Sequence, residues 1–379
     1  MPDRTDMSAR LWSLAHLATP MAIRVAATLR IADRVAGRPR SAPELAEEAG
    51  ADADALERVL RHLAAKGVLA RDDAGRYSLT PLGEPLRDDH PGHLRAMLDI
   101  DGAVGRAELC FARLLHSVRT GEAAYPVQFG RPFWDDLADD PRLAASFDAR
   151  MGADAVERAA EIVSAYDWGA LGHVVDVGGG DGTLMIALLT RFPALRGTVV
   201  DLPGTAETAR RALAGAGLAD RGDVVPGSFF DPLPGGGGGY LLSSVVHDWD
   251  DEAARAILRR CAQAAGDGGS VFVIERIGPD GESPHTAMDL RMLAYYGGRE
   301  RRAAELAGLA ADAGLTAVAV HPAGRLSVVE FTAARRPPDR QEESAGDAGH
   351  AVRDGAADRA ARAGRAGTAA AAGAGAGAG

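Results

Sequence analysis

The stretch "VVDVGGGDGT" (174–183) joins an apolar run to three consecutive glycines, with an acid on either side of them. Glycine has no Cβ and tolerates positive φ, so such a turn lets a ligand approach the main chain closely. Asp176 stands on the strand before the turn and Asp201 ends the next one, about 20 residues on, where an acid can hold two ribose hydroxyls. The spacing suits a nucleoside but not a nicotinamide dinucleotide. After Gly178 and Gly180 the third position is Thr183, and Asp181 in the turn would face a pyrophosphate badly. S-adenosylmethionine carries a sulfonium, an ammonium and no phosphate, so acids beside it help. The glycines therefore point to a methyl donor, against the plainer alternative that Asp176 and Asp201 only shape turns at strand ends.

A second candidate is His247, which opens "HDWDDEA" just after the apolar run "YLLSSVV". That is the carboxyl edge where open α/β sheets place their sites. Methyl transfer from a sulfonium is an in-line displacement that mainly needs the acceptor oxygen held against the methyl carbon. A phenol, with a pKa of about 10, is mostly protonated at neutral pH and gains from a base. Imidazole suits that task. A histidine at a helix start can equally be structural.

These residues need a scaffold, and the chain changes character along its length. From Leu11 to about Arg71 the pattern is helical, with Pro20 expected to break the first run. "SAPELAEEAG" and "DADALERVLRHLAAKGVL" read as a shorter and a longer helix, and "GRYSLTPLG" as a small strand with a turn. Helix, turn, helix and hairpin suggest a winged-helix unit. Its would-be reading helix starts with Asp52, Asp54 and Glu57, the wrong sign for a DNA groove, so dimerisation is the better expectation. Residues 91–170 read as mainly helical, interrupted at "YPVQFGRPFWDDL". From Gly172 helices and strands alternate, which predicts a parallel, doubly wound sheet ending in the helix "LAGLAADAGL" and the late strand "LSVVEF". The expected divisions are a dimerisation domain at 1–95, a helical acceptor-pocket segment at 96–170, a Rossmann-like cofactor domain at 171–332, and a disordered low-complexity tail at 333–379.

Composition narrows the classes further. A net charge of −11 repels polyanions, which argues against nucleic acid as a partner. Only Cys110 and Cys261 occur, far apart and outside any Cys or His cluster, so a disulfide framework and a structural zinc site are unsupported and a reducing cytoplasm fits. No signal-peptide pattern and no long apolar span is present, so neither secretion nor a membrane is expected.

Taken in order, "VVDVGGGDG", "VVDLP", "GSFFDPLP", "SSVVHDWDDEAARAILRRC" and "DLRMLAYYGGRERRAAEL" resemble the S-adenosylmethionine-dependent O-methyltransferases of small aromatic molecules, over about residues 10–332. That family includes plant phenolic enzymes and a bacterial branch that tailors polyketides, carminomycin 4-O-methyltransferase among them. The resemblance implies a class I methyltransferase domain behind a winged-helix dimerisation domain, and a homodimer. It implies that Gly178 contacts the methionine end of the cofactor, Asp201 the ribose, and Ser228 and Phe229 the adenine, with Ser243 touching the cofactor as in the bacterial branch. Many relatives have Asp in place of Ser228. A further departure, "PGGGGGY" at 234–240, is expected to form a flexible loop.

By the same resemblance His247 matches the base of the plant-type branch, and Glu275 and Glu300 match the carboxylates flanking it. A carboxylate on one ring nitrogen fixes the tautomer and makes the other nitrogen more basic. From sequence alone Glu300 reads equally well as a solvated member of the charge run "RERR". Asp248 and Arg291 match acceptor contacts, and Trp134, Met151, Met288, Met292 and Tyr295 are candidate pocket walls, with core packing as the alternative for the apolar ones. No metal is implied. The expected activity is methylation of an aromatic hydroxyl on a phenolic or polyketide-type natural product. The rivals are a hydroxylase or decarboxylase of the same fold, against which His247 speaks, and a winged-helix regulator.

Overall fold

The computed structural model describes residues 4–153 and 155–333; the expected low-complexity tail lies outside the described residues from 334 onward. Contacts divide the chain into two units. One holds the described residues up to Leu109 together with Pro141–Arg150, the other Cys110–Asp140 and the chain from Met151.

In the first unit the opening helical run is divided at His16 and Leu17, between helices Arg4–Ala15 and Ala18–Thr28. Pro20 does not make the break. It sits in the first turn of the second helix, where its missing N–H has no intrahelical partner to lose. Helix Ala42–Ala49 starts with a capping box, the Glu44 carboxylate accepting from the Ser41 amide at 2.8 Å, and ends at Gly50 with φ 65°. Helix Ala53–Ala65 is capped by Asp52 and buries Leu56, Leu60 and Leu63, three and four residues apart. The antiparallel pair β1 (Leu69–Arg71) and β2 (Tyr77–Leu79) closes the core on Tyr77. Helix, turn, helix and hairpin therefore follow in the expected order.

In the second unit seven strands form one sheet: β3 (His173–Val177), β4 (Arg196–Asp201), β5 (Gly222–Pro226), β6 (Gly239–Ser243), β7 (Ser270–Glu275), β8 (Leu315–Ala323) and β9 (Leu326–Ala333). The order across the sheet is β5-β4-β3-β6-β7-β9-β8. The first five run parallel, while β9 is antiparallel to β7 and to β8. Alternate residues feed opposite faces: Val175, Val177, Tyr240 and Leu242 enter one apolar core, Val174, Leu241, Phe272 and Ile274 the other. Strand order reverses between β3 and β6, so the crevice of the fold opens at their carboxyl ends.

Two sequence expectations change here. β8 is an additional edge strand that carries little apolar signal because it buries mainly its ends, leaving Val318 and Val320 exposed. The glycine run before β6 is not simply a flexible loop. A Cβ on Gly238 would lie 2.1 Å from the Leu171 carbonyl oxygen, and one on Gly239 2.8 Å from the Leu171 side chain, so these glycines permit close packing.

Candidate active site

The turn after β3 hangs on its neighbour: the Gly178 amide donates to the Val200 carbonyl at 2.8 Å. Gly178 has φ 74°, and a Cβ there would meet Val245 at 2.9 Å and the Phe229 ring at 3.6 Å. This is a cradle that a side chain would fill. Asp201 braces the turn from β4, accepting from the Gly180 amide at 2.9 Å and from the Leu202 amide at 2.7 Å. Ser228 spends its hydroxyl locally, accepting from the Phe230 amide at 3.2 Å, while Phe229 packs edge-on to Phe230 and Trp249. Ser243 ends β6, half-buried.

Asp176 has the most demanding environment of the group. It is 1% exposed and neither carboxylate oxygen has a hydrogen-bond partner. Burial, followed by the charges of Asp201 and Asp181, pushes its pKa up to about 7. An unpartnered buried carboxyl with two further acids near it suits a positively charged ligand. An ammonium and a sulfonium on a nucleoside fit this charge, and Gly178 and Asp201 fit the rest of such a molecule.

β6 stops at Ser243. Ser244 takes φ 55°, costly for a residue with a Cβ, and turns the chain into the 3₁₀ turn Val246–Asp248. That turn presents His247 to two buried carboxylates. Its Nδ1 lies 3.1 Å from Glu275 Oε2, at the end of β7, and 3.1 Å from Glu300 Oε1. The two acid side chains are 6% and 2% exposed, the imidazole 19%. The His247 amide also donates to Glu275 Oε1 at 3.3 Å. Burial works against charge on the ring, but Glu275 and Asp248, with the hydrogen bonds to Glu275 and Glu300, outweigh it and raise the imidazole well above its usual pKa. Carboxylates at Nδ1 keep a proton there, so the neutral ring offers Nε2 as its acceptor. Asp248 Oδ1 is 3.4 Å from Nε2, and burial with the nearby glutamates lifts this carboxyl to about 7 although His247 opposes the rise.

Glu300 is thus no solvated member of its charge run. Its amide donates to Asp289 Oδ1 at 2.9 Å, which turns the side chain inward. Near this cluster the helix Thr286–Tyr296 meets the segment read from sequence as an interruption, which forms the short helices Tyr125–Phe129 and Phe133–Asp139. Trp134 stacks on Tyr296 at 5.3 Å and 13°, and Phe133 packs edge-on against both rings. Burial, then the Asp248 charge, holds the Tyr296 hydroxyl well above its usual pKa, and the helix Thr286–Tyr296 packs against the turn Val246–Asp248. Met292 and Tyr295 are buried, Tyr295 edge-on to Phe111. Met288 and Arg291 are half-buried and Met151 is exposed. Sequence reasoning did not select Tyr296, Asp289 or Arg301, and it noted Asp176 without giving it a site role. The available signal for Tyr296 was its adjacency to Tyr295, because consecutive helical residues point about 100° apart.

Comparison with known proteins identifies the family. Residues 111–316 match the model of an O-methyltransferase domain and residues 12–87 that of an O-methyltransferase dimerisation domain. The chain is 57% identical to the 2,7-dihydroxy-5-methyl-1-naphthoate 7-O-methyltransferase of Streptomyces carzinostaticus, covering 85% of this chain and 97% of that one. It is 44% identical to the aclacinomycin 10-hydroxylase of Streptomyces purpurascens, over 88% and 92% of the two chains. Among solved structures, an O-methyltransferase from neocarzinostatin biosynthesis in complex with S-adenosylmethionine and 2-hydroxy-5-methyl naphthoic acid superposes with a TM-score of 0.81 at 57% identity, over 85% of this chain and 98% of that one.

Proposed function

The chain belongs to the O-methyltransferase family that carries its own dimerisation domain, and from that premise we propose that this S-adenosylmethionine-dependent O-methyltransferase methylates a hydroxyl on a fused-ring aromatic natural product, with His247 as general base. The cofactor supplies an electrophilic methyl group when bound. The chain's own part is to hold that donor, to hold the acceptor, and to take a proton from the acceptor oxygen. Gly178, Asp201, Ser228, Phe229 and Ser243 are assigned to the donor, and we add Asp176, whose lone buried carboxylate suits the donor's positive charge. Asp248, Arg291, Trp134, Met151, Met288, Met292 and Tyr295 stay assigned to the acceptor, with Tyr296 added to them; the Trp134–Tyr296 stack offers a flat aromatic surface. The substrate class is supported by the naphthoate enzyme to which this chain is 57% identical.

One observation carries the base assignment: Nδ1 of His247 is clasped at 3.1 Å by each of two buried carboxylates. That arrangement leaves Nε2 to accept the proton and makes it more basic than a free imidazole. A homodimer built through the first unit is part of the same proposal, supported by the exposed Leu11, Trp12, Leu14 and Leu17. A cytoplasmic location, the divisions at 95, 170 and 332, and the absence of a nucleic-acid or membrane role also belong to it; among the described residues no helix is long and apolar enough to cross a membrane.

The test is a screen with methyl-labelled donor against hydroxylated naphthoates, anthracyclinones and simple phenols, run beside His247→Ala. Native protein is expected to label a fused-ring acceptor, and the variant to lose about 10²–10⁴-fold in kcat at neutral pH. A His247→Ala enzyme as fast as native would remove the base role. A product that gains oxygen and no label would replace methyl transfer with the chemistry named for the 44% identical hydroxylase.

A further inference from the structure

A base held by two carboxylates works only if its own backbone is held too, and a 3₁₀ turn holds itself poorly. The bonds that close the turn Val246–Asp248 are long, from the Asp248 amide to the Val245 carbonyl at 3.3 Å and from the Trp249 amide to the Val246 carbonyl at 3.4 Å. Against this turn lies the strap Gly298–Arg301, part of a run that looks solvated in the sequence. The middle of the charge run is buried and its ends are not. Arg299 and Arg302 side chains are each 51% exposed, while Glu300 and Arg301 are 2% exposed.

Resting on the assignment of His247 as base, we propose that Arg301 is a positioning residue for it: the guanidinium locks the turn's carbonyls and so fixes where Nε2 stands. Its Nη1 donates to the Val246 carbonyl at 2.8 Å and its Nη2 to the Trp249 carbonyl at 2.7 Å, the residues bracketing His247 and Asp248. Nε and Nη2 both donate to Asp251 Oδ1, at 3.1 and 2.9 Å, tying the turn to the first residue of helix Asp251–Ala265. The carbonyl of His247 itself accepts from the Arg299 amide at 2.9 Å. The contact is close enough that a Cβ on Gly298 would lie 2.2 Å from the His247 oxygen. One short segment therefore grips the histidine twice: Glu300 takes the ring and Arg301 takes the backbone.

The chemistry of the side chain makes the arrangement specific. A planar guanidinium presents donors in fixed directions, which a lysine ammonium cannot reproduce across three acceptors. A buried cation is costly to keep. The Arg301 donors go to the carbonyls of Val246 and Trp249 and to Asp251, so its effect travels through the turn that carries His247.

The experiment uses the full chain with donor and acceptor, comparing Arg301→Gln, Arg301→Lys and Asp251→Asn in native and His247→Ala backgrounds. A loosened base, about 1 Å out of place, is expected to cost about 10²-fold in kcat for Arg301→Gln, with Arg301→Lys recovering part of it. The acid limb of the pH–rate profile should shift with kcat, while the donor Kd by calorimetry stays within about threefold of native. In the His247→Ala background the same substitution should cost less than about threefold, because the group through which it acts is gone. Equal losses in both backgrounds, or a folded Arg301→Gln enzyme with native kcat and an unmoved limb, would overturn the proposal. Should Arg301→Gln fail to fold, Arg301→Lys and Asp251→Asn carry the same comparison, and equal losses in both backgrounds overturn it there too. Failure of the base assignment itself would read differently: His247→Ala alone would keep native activity.

Discussion

Asp176→Asn should stabilise the ligand-free protein while weakening donor binding, and the size of the effect follows from the structure. A carboxyl at 1% exposure with no partner is pushed from 3.8 to about 7. Because the folded state holds a proton that the unfolded chain has released, native stability falls as pH rises from about 4 to about 7, and the penalty is complete above that. Three pK units correspond to about 4 kcal/mol, an upper figure for a buried group. Asparagine does not titrate, so its advantage should be absent near pH 4 and reach a few kcal/mol, on the order of 5–10 °C in Tm, at pH 8.5. The unpartnered amide resembles the protonated acid and cancels from this difference. Asp248, also near 7, titrates in both proteins and cancels as well. Differential scanning calorimetry at the two pH values reads the stability change, and titration calorimetry with S-adenosylmethionine reads the lost counter-charge, expected as at least about a tenfold rise in Kd. A Tm difference independent of pH would refute the burial argument, and unchanged donor affinity would refute the role given to the carboxylate.

The other consequences concern the base and the glycine turn. Glu300→Gln removes one of the carboxylates that raise the His247 pKa. Two charges about 4 Å apart interact by about 4 kcal/mol at an effective dielectric of 20. The partly exposed ring keeps about half of this, so the acid limb of kcat/KM should move down by about 1–2 pH units. The direction follows because only the neutral ring is a base and a lower pKa frees it at lower pH; a limb that stays put would count against the pairing. Gly178→Ala puts a Cβ 2.9 Å from Val245 at φ 74°. It should cost about 1–2 kcal/mol of stability and raise the donor Kd at least about tenfold, with kcat at saturating donor nearly native. Fluorescence-monitored melting and donor titration check both, and unaltered binding would remove Gly178 from the donor site.

The parts of the fold legible in the sequence are those encoded over short distances. The strand runs "HVVDV", "YLLSSVV" and "SVFVIE", the helical spacing in "DADALERVLRHLAAKGVL" and the βα rhythm after Gly172 each depend on residues a few positions apart. β8 escaped because an edge strand buries little, and Pro20 was misplaced because proline in a helix's first turn breaks nothing. The site divides the same way. His247 was visible from its place at the strand end, but "RERR" offers no local sign that its middle pair faces inward.

That inward turn is decided by distant partners: Asp289 takes the Glu300 amide, and the carbonyls of Val246 and Trp249 take the Arg301 guanidinium. Opposite charges side by side enter the interior together because each meets its own complement there, a cation for oxygens, an anion for an imidazole N–H. The same logic explains why Asp176 stands alone. In the His247 cluster the carboxylates meet an imidazole, whereas both oxygens of Asp176 lack a hydrogen-bond partner, and the proposed donor would bring the positive charge that suits them.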